Sequence, residues 1–99
     1  MITVHAYVWA RPEHRDAYRE GLRALQASTK ANDAGCLRYE FWTAIDDPDA
    51  FVCVEAWTDL DALNAHLDAP HHIAGSAALD AYRARPTEIE IYQSTPISL

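Results

Sequence analysis

The stretch Phe51-Val-Cys-Val-Glu-Ala-Trp57, which runs directly into Thr58-Asp-Leu-Asp-Ala-Leu-Asn-Ala-His66, decides how this chain folds. Phe51, Cys53, Glu55 and Trp57 alternate with Val52, Val54 and Ala56, so the segment reads as a strand. Both of its faces are apolar, which predicts a strand inside a sheet covered on both sides. One face also carries a carboxylate. A buried Glu needs a partner or a function. His66 sits on the following helix, at the border of a stripe formed by Leu63 and Leu67. A carboxylate, an indole and an imidazole beneath one helix are the ingredients of a small-molecule site.

Outward from that strand, the periodicity gives one compact unit. Ile2 to Trp9 alternates Ile2, Val4, Ala6 and Val8 against Thr3, His5, Tyr7 and Trp9. Arg11-Pro12-Glu13 turns the chain, and Pro12 suits the first turn of a helix. That helix is predicted to run to Lys30, with Tyr18, Leu22, Leu25 and Thr29 facing inward. Gly21 in its middle points to a close approach of the sheet or a ligand. Asn32-Asp33-Ala34-Gly35 breaks the helix. Cys36 to Thr43 is a second strand, joined to the Phe51 strand through the Asp46-Asp47-Pro48-Asp49 turn. Thr58 with Asp61 resembles a capping box. Pro70 interrupts the helix that follows, and a second piece is predicted from His71 to Arg83. Thr87 to Tyr92 is a fourth strand, and Ser94 to Leu99 a tail. The order β-α-β-β-α-β predicts an α+β, ferredoxin-like domain with a four-stranded antiparallel sheet and its helices on one face. Residues 1–99 form a single domain, with a core over 1–93 and a tail over 94–99.

Length and composition narrow the partners. A chain of 99 residues, 49% apolar and 10% aromatic, is rich in core material for its size. Helices cover one face of such a sheet, so the other face is expected to bury against a second copy in a homodimer. The net charge of −7 speaks against nucleic acid or an anionic membrane as partner. The absence of a long apolar run or a leader predicts a cytoplasmic protein. Cys36 and Cys53 have no CxxC spacing and read as free thiols in a reducing compartment. The five histidines match no zinc spacing, and no GxGxxG or P-loop is present.

In this order the chain resembles the antibiotic biosynthesis monooxygenase (ABM) domain family, which includes small quinol monooxygenases. The resemblance rests on Met1-Ile-Thr-Val4, Arg11-Pro12, Gly35-Cys-Leu-Arg-Tyr-Glu40 and Asp47-Pro48. It continues through Phe51-Val52, Glu55-Ala-Trp57, Asp61-Ala-Leu63, His66-Leu67 and Pro70-His71, so it covers nearly the whole chain. It implies a dimeric α+β barrel with a pocket between sheet and helices. It also implies oxidation of an electron-rich aromatic by O2, often with neither metal nor organic cofactor. The family is functionally mixed and holds heme-degrading enzymes and an isomerase. The heme-degrading members use an Asn on the first strand, a Trp, and an axial His on the last helix, and of these the chain offers Trp57. Here Ile2 to Trp9 contains no Asn, and Ser76 or Ala77 stands near the expected ligand position.

A phenolate or hydroquinone dianion can itself pass an electron to O2. The protein then has to supply an apolar slot, a base and a hydrogen-bond donor. On this reading the chain is a cofactor-independent monooxygenase acting on a quinol, polyphenolic or aromatic polyketide-like small molecule. His66 is the candidate base, Glu55 its orienting carboxylate, and His5 a further catalytic donor. Trp57, Phe51, Leu22, Leu25, His71 and Tyr82 are candidate substrate contacts. One of His71 and His72 is expected to point inward at the Pro70 kink while the other is solvated. For Glu55 a structural ion pair with Arg38 is the competing reading. For His5, Tyr7 and Trp9 the competing reading is the dimer interface. An acid–base isomerase, or a ligand-binding dimer without turnover, fits the same fold. If His66 is the base, the pH profile should rise through a single ionisation on the order of pH 6–7.

Overall fold

The computed structural model describes all residues from Met1 to Leu99. The strands are β1 (Ile2–Trp9), β2 (Cys36–Thr43), β3 (Ala50–Trp57) and β4 (Glu88–Gln93). The helices are α1 (Arg15–Asn32), α2 (Leu60–Asp68) and α3 (Pro70–Ala77). Single 3-10 turns at Pro12–His14 and Asp80–Tyr82 complete the set. The sheet is antiparallel in the order β2-β3-β1-β4. The ferredoxin-like α+β architecture expected from the alternation is the one observed.

The alternation of β3 produces the fold's central asymmetry. Phe51, Cys53, Glu55 and Trp57 are all buried on the helix side. Their register partners on β1 are Val8, Ala6, Val4 and Ile2, so the apolar set of β1 shares that face. Tyr39 and Phe41 of β2 lie opposite Glu55 and Cys53 and join them. Thr3, His5, Tyr7 and Trp9 therefore lie on the other face, with Val52, Val54 and Ala56. That open face is aromatic and charged rather than simply apolar. Tyr7 donates to Glu90 at 2.8 Å, and Arg85 stacks 3.5 Å over the Trp9 ring.

Several local expectations are corrected. The α2 cap is Asp59, whose carboxylate accepts from Ala62 N at 2.8 Å. Thr58 still belongs to the strand network, where its N–H donates to Gly35 O at 2.9 Å. Asp is also the stronger capping residue. The last helix stops at Ala77 instead of Arg83. Leu79 N bonds Ser76 O at 3.1 Å, a tighter turn than the α-helix allows, and Arg83 reaches back to the same carbonyl. Gly21 is explained by neither sheet nor ligand, because the Leu79 side chain fills the space a Cβ would need. Gly35 has φ +79° immediately after α1, a conformation that favours glycine.

Candidate active site

A cavity of about 230 Å³ lies between the sheet and the helices. Its walls are mostly aliphatic, from Val4, Ala6 and Val8 of β1 to Ile89 and Ile91 of β4, with Leu22 and Leu25 of α1. Glu55, His66, His72, Tyr39, Cys53, Tyr18 and Arg83 place polar atoms around it. A larger groove of about 270 Å³ on the α1–β2 flank is open to solvent and lacks any carboxylate or imidazole. The buried titratable groups converge on the smaller cavity, which makes it the candidate site.

His66 is held by a residue the sequence reading treated only as a break. Its Nδ1 lies 2.5 Å from Asp33 Oδ2. The other oxygen of Asp33 lies 2.8 Å from His71 Nε2. The Asp33 side chain is only 7% exposed, so the C-terminal end of α1 is clamped to the α2–α3 elbow by a buried carboxylate. An acid at a helix C-terminus works against the helix dipole. That misfit in Asn32-Asp33-Ala34-Gly35 is the signal by which Asp33 was findable.

With Nδ1 occupied, the free nitrogen of His66 is Nε2, which is buried and has no protein partner. Burial pushes the His66 pKa below its usual range, outweighing the upward pull of Asp33. His66 is therefore neutral at pH 7, with Nδ1–H donating to Asp33 and a lone pair on Nε2. The His72 ring lies 4.1 Å from that of His66, and burial takes its pKa down to about 4.

Glu55 does not orient His66, contrary to expectation. Its Oε1 accepts from Trp57 Nε1 at 3.1 Å. It does not pair with Arg38 either, which bonds Glu40 at 3.3 Å. Burial raises the Glu55 pKa to about 7, with hydrogen bonds from Trp57 and Cys53 opposing the rise. The thiol of Cys53 and the phenol of Tyr39 are pushed up by burial and stay protonated at neutral pH.

Of the residues singled out in the sequence, His66, Glu55, Leu22 and Leu25 line the cavity together. The others do not. His5 is on the opposite sheet face, 3.6 Å from Glu90, because β1 turns its apolar residues toward the helices. Trp57 is fully buried behind His66, with ring centroids 4.7 Å apart, and supports the site without bordering the cavity. Phe51 packs against Tyr18 and borders the flank groove. His71 turns to Asp33, and His72 is the member of the pair that lines the cavity. Tyr82 packs against His14, ring centroids 5.2 Å apart.

The shifts of Glu55 and His72 have opposite consequences for stability. Glu55 is raised, so its contribution is full below about pH 4.5 and is lost as pH rises through about 7. His72 is lowered, so its contribution is full above about pH 6.5 and is lost as pH falls through about 4. Between about pH 4.5 and 6.5 these two slopes oppose each other, and the lowered His66 adds to that of His72. Glu55→Gln keeps an acceptor for Trp57 and removes the buried charge. The variant should gain about 3 kcal/mol over the parent at pH 8, where the buried Glu55 carboxyl is ionised. Its stability should also rise more steeply with pH between about 4.5 and 6.5 than the parent's. Urea melts across pH 4–8 read this directly, and parallel curves for parent and variant would refute the assignment.

Comparison with known proteins agrees with this architecture. The antibiotic biosynthesis monooxygenase family profile matches residues 1–86. The Bacillus subtilis protein named "Putative monooxygenase YcnE" is 27% identical over 71 residues, covering 72% of this chain and 74% of that protein. A crystal structure of PA3566 from Pseudomonas aeruginosa superimposes with a TM-score of 0.84 at 29% identity, covering 96% of this chain and 94% of that one. Rv0793 from Mycobacterium tuberculosis has the same fold, with a TM-score of 0.87 at 24% identity over 99% of this chain and 98% of its own. The profile match over residues 1–86 shows that the chain belongs to the antibiotic biosynthesis monooxygenase family.

Proposed function

We propose that this protein is a monooxygenase that oxidises a quinol or polyphenolic small molecule with O2 and draws on no bound cofactor. One observation carries the reading. A neutral imidazole, fixed by Asp33 at Nδ1 and unpartnered at Nε2, borders an apolar cavity between sheet and helices. Nε2 takes the phenolic proton, and Asp33 stabilises the imidazolium that forms. The resulting phenolate donates an electron to O2, and the aliphatic walls shelter the radical pair from water. One oxygen atom ends on the ring and the other leaves as water. For a dihydroxynaphthalene the products are a hydroxynaphthoquinone and one water. Protonated Tyr39 supplies a hydrogen-bond donor in the same cavity.

The test is oxygen uptake with 1,4-dihydroxynaphthalene, corrected for autoxidation. Enzyme-dependent uptake is expected. Turnover of the same substrate that persists under strict anaerobiosis would favour an acid–base isomerase instead.

The open sheet face belongs to the same proposal. Trp42 and Tyr92 stand 54% and 46% exposed beside the half-buried Val52 and Val54, and Ile97 and Leu99 of the tail are exposed too. A second copy covering this face, with the tails reaching across, would bury them. Sedimentation at micromolar concentration should give a dimer, and a folded monomer would overturn this part.

A further inference from the structure

The cavity is also bordered by a basic side chain that the proposed reaction leaves unused. Arg83, just after the Asp80–Tyr82 turn, is the only Lys or Arg bordering the cavity. Its guanidinium is fixed on two sides. Nη1 bonds the Asp80 carboxylate, and Nη2 bonds Ser76 Oγ at 3.0 Å and Ser76 O at 3.3 Å. Nε is buried and has no protein partner. Tyr18 of α1 borders the same cavity, and its hydroxyl is also buried without a protein partner. Arg83 lies within hydrogen-bonding reach of the phenol oxygen and opposes the upward push of burial on its pKa, so it is the phenolic O–H itself that lacks an acceptor.

Two buried donors without acceptors are uncommon, because each forfeits its hydration on folding. Both are donors at neutral pH, and one belongs to a permanent cation. Asp80 offsets part of that charge, but its side chain is 67% exposed and well screened by water. A planar oxyanion matches this pair: one oxygen for the Arg83 Nε–H and one for the Tyr18 O–H. The surrounding Val8, Leu22 and Leu79 are apolar and suit the ring that carries the anion.

We propose that the Arg83–Tyr18 end of the cavity is an anion subsite, and that the substrate is an aromatic quinol bearing a carboxylate. The inference rests on the proposed function for the placement of the ring, with the reacting hydroxyl at His66 and the carboxylate at Arg83. It makes Arg83 and Tyr18 determinants of substrate choice rather than of the chemistry.

The test is anaerobic titration calorimetry, which needs no turnover. The probes are 1,4-dihydroxy-2-naphthoic acid and its neutral parent, 1,4-dihydroxynaphthalene. The acid should bind about 10- to 100-fold more tightly, the usual range for a charge-assisted contact in a buried site. Arg83→Met should abolish that preference while leaving affinity for the neutral probe nearly unchanged. Tyr18→Phe, which preserves the packing, should weaken the acid alone by several fold and serves where Arg83→Met proves unstable. Equal affinity of the parent protein for the two probes, or a preference that survives both substitutions, would overturn the subsite. A preference for the acid without aerobic oxygen uptake would sustain the subsite and refute the monooxygenase reading.

Discussion

His66→Ala should lower the enzyme-dependent oxygen uptake by about 10²- to 10⁴-fold, the usual contribution of a general base. The effect should fall on kcat and kcat/KM alike, because the proton is taken in the transition state. In the parent protein, activity should fall as pH drops through the His66 pKa, which burial holds below the usual histidine range. Glu55 borders the same cavity and titrates near pH 7, so the single ionisation expected from the sequence becomes two. Glu55→Gln should remove the upper one and leave the acid limb. Asp33→Asn should move that acid limb to lower pH, because the Asp33 carboxylate is what pulls the His66 pKa upward. A purely structural Asp33 would reduce the amount of folded enzyme without moving the limb.

Trp57→Ala should destabilise the protein by about 3–5 kcal/mol, the range for removing a large aromatic side chain from a core. The indole is completely buried and touches Tyr39 and His66, with centroids 6.4 and 4.7 Å away. Its loss also takes the Nε1–H donor from Glu55, which then has no indole to oppose its burial. From the sequence this residue is a candidate substrate contact, with a plain core role as the competing reading. The structure places it behind the imidazole instead, and stability is the expected casualty. Trp57→Phe keeps most of the packing and isolates the hydrogen bond. Chemical denaturation of the two variants checks this, and a Trp57→Ala protein as stable as the parent would contradict it.

The difference between the two readings of Trp57 shows what was legible in the chain. Alternation over Phe51–Trp57 is a local property, so it put Glu55 and Trp57 on one face correctly. The succession of strands and helices along the chain and the break at Pro70 followed from equally local signals. Depth beneath that face is not local. Whether a residue borders a cavity or backs it depends on the helix packed above, and His66 lies between Trp57 and the open space. The same holds for β1, where two faces were evident but not which one the helices cover, and His5 fell on the far side. Asp33 was hidden for a different reason. It reaches His66 across 33 positions, only once α1 has folded back against the α2–α3 elbow. Helix-breaking chemistry explained its neighbours well enough to mask its charge. His72 against His71 turns on the rotation of one short helix after Pro70, which periodicity over eight residues does not determine.

On the proposed function, the cavity bordered by His66 and Glu55 inserts one atom of O2 into an aromatic quinol. Reaction under ¹⁸O2, quenched before the product carbonyls exchange with water, tests this most directly. One labelled oxygen is expected in the ring product of the parent protein, and formation of that product should be lowered by about 10²-fold or more in His66→Ala. An unlabelled product, or label that forms equally fast in His66→Ala, would contradict it.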